Sequence, residues 1–119
     1  MDLSDVLADY ATLPEYQGQP GPGVNSRSAF GGYPIHVAAV RGSVEELSLL
    51  LEAGADIDQP GEHGFTPLHE AALCGHNAAV RFLLEKGASR EICNDDGETA
   101  LQLARLMQES EIAVLLQTL

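Results

Sequence analysis

His69, Glu70, Cys74 and His76 crowd into one short stretch, TPLHEAALCGH, at residues 66–76. Side chains of these types could hold a zinc ion or arm a thiolate nucleophile. A helical zinc site with a carboxylate base needs His-Glu-x-x-His, which places the second imidazole one turn on; that residue is Leu73. Cys74 and His76 have no second ligand pair at metal spacing. A cysteine embedded in an acidic helix is expected to have a raised pKa, the reverse of what a nucleophile requires. The run NDDGE at residues 94–98 has carboxylates but lacks the ligand spacing of a calcium loop, and no Gly-rich phosphate loop is present. The chain is therefore expected to be no enzyme, with no catalytic residue, no metal site and no cofactor.

The elements that position this stretch give it a different purpose. Pro34, Pro67 and Ala100 are spaced by 33 residues and each opens an apolar segment. Ile35, Leu68 and Leu101 keep the same step, as do Ala38, Ala71 and Ala104, and Leu50, Leu83 and Leu116. Gly42 and Gly75 do so until Gln108 breaks the series. Each unit reads as two short helices. In the middle one Thr66 is a good N-cap, and Pro67 follows at the first helical position, where its missing N–H costs nothing. Gly75 ends the first helix. Val80, Leu83 and Leu84 form the apolar side of the second, and Gly87 closes it in the left-handed conformation that favours glycine. A polar, turn-rich stretch leads on to Thr99.

The middle unit, GFTPLHEAALCGHNAAVRFLLEKGA, strongly resembles the ankyrin repeat. The flanking units GGYPIHVAAVRGSVEELSLLLEAGADI and GETALQLARLMQESEIAVLL are similar but worn, and together the three cover nearly three-quarters of the chain. The resemblance implies an all-α solenoid of stacked helix-turn-helix units with hairpin-like fingers projecting from one edge. It also makes His69 the structural hydrogen-bonding partner of Thr66. His36 repeats the position, but Tyr33 replaces the threonine, which leaves open whether His36 keeps that bond.

The repeats are expected at about 31–63, 64–96 and 97–119, forming a domain over 31–119. Residues 1–30 read as a degenerate N-terminal cap, with a helix near residues 3–11 and a Pro/Gly-rich connector from Pro14 to Gly23. In the third unit Thr99 and Gln102 suit a capping box. Arg105 and Gln108 replace an alanine and a glycine there, as expected of a terminal unit whose outer face meets water.

Eighteen acids against six bases give a net charge of −12, with no basic run to neutralise phosphates, so neither nucleic acid nor an anionic membrane is an expected partner. A basic protein partner is electrostatically favoured. MDLSDVLADY has no basic n-region or apolar core, so it is not read as a signal peptide, and the expected location is the cytoplasm. Cys74 and Cys93 read as reduced thiols.

The resemblance implies protein binding through the concave and finger face. By register, that face offers Glu62, His63 and Phe65 on one finger and Asp95, Asp96 and Glu98 on the next. The ends of the first helices add Arg41, Leu73, Leu106 and Met107, and with Val40 this row is mostly apolar. Phe30 and Tyr16 upstream are further candidate anchors. The expectation is a small acidic inhibitor, monomeric when free, that caps a basic partner, for example an immunity protein or antitoxin neutralising a toxin. An adaptor or a kinase inhibitor is the alternative.

Overall fold

The computed structural model of the chain describes residues 1–19 and 22–119. Pro20 and Gly21, inside the connector expected from Pro14 to Gly23, lie outside the described residues. Seven α-helices and no strands form among the described residues. Helix α1 (Leu3–Tyr10) is followed by three pairs: α2 (Pro34–Arg41) with α3 (Val44–Glu52), α4 (Pro67–Leu73) with α5 (Asn77–Glu85), and α6 (Ala100–Leu106) with α7 (Ser110–Thr118).

The alanine row explains how the pairs stack. Ala38, Ala71 and Ala104 have no exposed surface, and with so little side chain they let α2, α4 and α6 lie side by side as an inner layer. Leu50 and Leu83, also without exposed surface, fill the space between that layer and the outer layer of α3, α5 and α7. Each such leucine stabilises the fold by about 1.5–3 kcal/mol. The units are short, so their helices depend on this packing more than on intrinsic helical propensity.

Each inner helix starts in the way its sequence dictates. Thr66 Oγ1 accepts the His69 N–H at 3.3 Å, while the Thr66 N–H donates to His69 Nδ1 at 3.1 Å. Thr99 and Gln102 make the same reciprocal pair, with the Thr99 N–H 2.8 Å from Gln102 Oε1. At the first unit the tyrosine supplies no hydroxyl cap, yet the Tyr33 N–H still donates to His36 Nδ1 at 2.9 Å. His36 therefore keeps the backbone half of the box, because that half needs only an amide. With Nδ1 accepting, the proton on both histidines sits on Nε2. His69 Nε2 donates to the Glu98 carbonyl at 2.9 Å, and His36 Nε2 lies 2.8 Å and 3.0 Å from the Gln59 and Phe65 carbonyls.

The fingers are tight turns rather than paired strands. Ser28, Gly61 and Asn94 each donate a backbone N–H to the carbonyl four residues on, at 2.7, 2.8 and 2.9 Å. Asn94 Oδ1 accepts the N–H groups of Asp96 and Glu98, so the NDDGE run is folded around an asparagine side chain. The Asp95 N–H donates to the His63 carbonyl at 2.9 Å and ties one finger to its neighbour.

Helix α1 packs on both α2 and α3. Tyr10 is fully buried there, and its hydroxyl donates to the Glu46 carboxylate. Arg41 reaches Asp9 at 2.7 Å and Glu46 at 3.6 Å, with its guanidinium 4.9 Å from the centre of the Tyr10 ring. Four polar groups thus join α1 to the first pair. Tyr16, in a short 3-10 turn at Pro14–Tyr16, is also fully buried and donates its hydroxyl to the Ser26 carbonyl at 2.9 Å.

Candidate protein-binding face

The reactive residues of the 66–76 stretch are dispersed by the fold. His69 is buried and committed to Thr66 and Glu98. His76 turns the other way and donates Nε2 to the Val40 carbonyl of the preceding unit at 2.7 Å. Cys74 caps the end of α4, where burial and then the charge of Glu70 push its thiol pKa up. Among the described residues no three His, Cys, Asp or Glu side chains are grouped to hold a metal ion. The two histidines of the stretch are occupied with joining one unit to the next.

The sequence-derived face residues differ in how free they are. Glu62, His63, Asp95 and Asp96 are exposed on the fingers. His63 holds its backbone in the left-handed region at φ 57°, and its side chain is 76% exposed. Leu106 is 67% and Met107 48% exposed at the end of α6, and Val40 is 45% exposed at the end of α2. These three do not pack between units, whereas Leu73 is half-buried. Phe65 is half-buried too, its ring centre 5.6 Å from that of His69. Glu98 is half-buried; its Oε1 accepts from the Asn94 amide at 3.1 Å, and its carbonyl accepts from His69. Arg41 is turned toward Asp9 and Glu46. Phe30 is 57% exposed on the first finger, but Tyr16 is no anchor: it belongs to the core.

Between the first finger and the inner helices the chain leaves a groove of about 340 Å³. Its apolar lining is Leu13, Phe30, Tyr33, Val37 and Val40, and its carboxylates are Glu15, Glu62 and Glu70. These side chains come from the connector, two successive fingers, α2 and α4. Burial, then Glu62, then Glu15 push the Glu70 carboxyl up to about 7. Glu15 is also raised, by burial and by Glu62, against a smaller opposing pull from Arg41. A second, shallower hollow lies at the other end of the face, lined by Asp96, Glu98, Gln102, Arg105 and Leu106.

Glu70 and Glu15 were missed in the sequence because neither is at a variable finger or helix-end position. The register did contain a signal for Glu70. Its equivalents one unit before and after are Val37 and Leu103, so a carboxylate interrupts an otherwise apolar series. Glu15 had none, since its place beside the groove depends on the path of the connector.

A three-pair helical solenoid with finger turns along one edge defines a repeat protein. The family model described as ankyrin repeats (3 copies) matches residues 9–92, more than two-thirds of the chain. The chain belongs to the ankyrin-repeat family. The match starts at Asp9, well upstream of the 33-residue periodicity, and so takes in the end of α1 and the connector. Membership makes the chain a protein-binding module, in a family that generally serves interaction and not catalysis. No curated protein matches it by sequence. No helix among the described residues is long and apolar enough to cross a membrane.

Proposed function

We propose that this chain is a small stoichiometric inhibitor that binds a basic protein through its finger and inner-helix face. An immunity protein or antitoxin covering the basic surface of a toxin is the concrete form of this reading. In it residues 1–30 serve as the N-terminal cap of a repeat domain over 31–119, and the free protein is a cytoplasmic monomer. Exposed, unpaired thiols at Cys74 and Cys93 support a reducing setting.

One observation carries the proposal. Phe30, Val40, Leu106 and Met107 are four of the seven large apolar side chains exposed among the described residues, and all lie on fingers or inner-helix ends. Water disfavours such a row, and exposed apolar surface rimmed by polar groups marks interaction sites. The rim here is acidic: Glu62, Asp95 and Asp96 are exposed beside it, on a chain of net charge −12. Complementarity of charge then selects a basic partner and speeds the encounter.

The test is capture from the native lysate by wild type beside two folded variants, Asp95→Ala/Asp96→Ala and Leu106→Ser/Met107→Ser. A basic protein retained in 1:1 ratio by wild type, weakened by both variants and inhibited in its own activity supports the reading. A captured partner that is acidic, or one held equally by all three proteins, overturns it.

A further inference from the structure

The groove at the N-terminal end of the face has a largely apolar lining, yet among the described residues no cation forms an ion pair with its Glu15 or Glu70. Arg41 lines it but is held by Asp9 at 2.7 Å and by Glu46, and stacks over Tyr10. Among the described ion pairs, neither Glu15 nor Glu70 has a partner, and Glu62 has only the exposed His63 at 3.5 Å. Three carboxylates from separate elements thus converge on one apolar recess. We propose that this groove receives a single arginine or lysine side chain of the partner protein, its aliphatic stem against Tyr33, Val37 and Leu13 and its charged head between Glu70, Glu62 and Glu15. The inference rests on the reading of a basic protein partner and names where that partner is anchored.

Shape and chemistry agree on the occupant. A volume of about 340 Å³ is near the lower end of the ~300–1,000 Å³ of ligand pockets, room for one long side chain and its neighbours but not for a helix. Only Arg and Lys combine an apolar stem with a cationic tip, so only they satisfy floor and rim together. An apolar side chain would leave the carboxylates facing each other. An acidic one would add a fourth negative charge. A cation relieves the repulsion among Glu15, Glu62 and Glu70 when it enters, which makes the groove a place where binding is favoured on both sides.

The experiment is a two-dimensional amide NMR titration of the ¹⁵N-labelled full chain at pH 8, with blocked Gly-Gly-Arg-Gly-Gly and Gly-Gly-Lys-Gly-Gly as probes. Peptides with norleucine or glutamate in the central place are the controls. Saturable shifts centred on Val37, Glu62 and Glu70, seen with the basic peptides and absent with the controls, are expected. Glu70→Gln and, separately, Glu15→Gln keep the folded spectrum and weaken binding by at least about tenfold, the low end for losing a charge-assisted hydrogen bond. An equal response to norleucine overturns the proposal in favour of a purely apolar occupant. Shifts at the same amides on concentrating the protein without peptide overturn it in favour of a second copy. The same shifts with calcium chloride alone overturn it in favour of an ion. Absence of shifts at these amides overturns it as well. If the captured partner is lost from Asp95→Ala/Asp96→Ala but kept by Glu70→Gln, the groove inference falls while the inhibitor reading stands. If no basic partner is held by any form, the inhibitor reading falls.

Discussion

His69 Nε2 lies 2.9 Å from the carbonyl oxygen of Glu98, 29 residues later, and so fastens α4 to the finger of the next unit. His36 makes the same reach of 29 residues to Phe65. The third unit has Gln102 at this position, paired with Thr99. Position 69 therefore works in two directions, capping its own helix through Nδ1 and stapling the stack through Nε2.

Replacing His69 with alanine orphans the buried Thr66 amide and takes one of two donors from the Glu98 carbonyl, which keeps the Asn94 N–H. At about 1–3 kcal/mol for a buried group left unsatisfied, the expected loss is at least about 1 kcal/mol, read from urea unfolding monitored by circular dichroism. His69→Gln, which copies Gln102, keeps the cap, loses the staple and should fall between wild type and His69→Ala.

Burial lowers the pKa of both His36 and His69 from the ordinary 6.5, against the opposing effect of their carbonyl partners. Between 6.5 and the depressed folded value, the unfolded chain takes up protons that the folded chain refuses. Stability present above pH 6.5 should therefore be lost as pH falls through that window. Because Glu70 acts in the opposite sense over the same range, the comparison is made in a Glu70→Gln background: the fall in Tm from pH 7.5 to 5 should be smaller when His69→Gln is added.

Glu70 behaves in the opposite sense. Its carboxyl rises from 4.5 to about 7, so the folded chain binds the extra proton between those values and its contribution worsens as pH rises. Glu70→Gln should melt higher than wild type at pH 8, with the gap closing by pH 4.5. A variant that is less stable at pH 8 would sink the picture of an unneutralised carboxylate in the groove.

Gly42, Gly75 and Gln108 occupy one position in successive units, and all have positive φ, at 70°, 76° and 58°. A side chain costs about 1–2 kcal/mol in this region, partly offset by glycine's greater freedom when unfolded. Gln108→Gly should stabilise by about 0.5–1 kcal/mol. Gly42→Ala should do the reverse and by more. Its added Cβ would lie 2.5 Å from the His76 ring, which is pinned by its 2.7 Å bond to the Val40 carbonyl. Chemical denaturation of both variants checks the signs.

Tyr10→Phe removes the hydroxyl that satisfies Glu46, whose side chain is only 11% exposed. The expected cost is about 1–3 kcal/mol. Because Tyr10 joins α1 to the first pair, hydrogen exchange should quicken in α1 before α5. Uniform quickening would show that α1 is not a separable cap.

The sequence by itself determined the repeat. Residues spaced by 33 had to be small at Ala38, Ala71 and Ala104 and large at Leu50, Leu83 and Leu116, because identical units bury identical faces against one another. It also determined the helix starts at Pro34, Pro67 and Ala100, since caps act within a few residues. Tertiary structure alone decided what breaks the repeat. Glu46 is buried where later units have Ala79 and Ile112, because Tyr10 of α1 is there to meet it. Arg41 is in the helix-end row yet is held by Asp9 and Glu46 at the side of α1. Glu15, Glu62 and Glu70 are far apart along the chain and become neighbours only when the connector, finger and helix close around one groove. Periodicity records contacts that recur in every unit; contacts made once, at the end of the stack, leave no period to read.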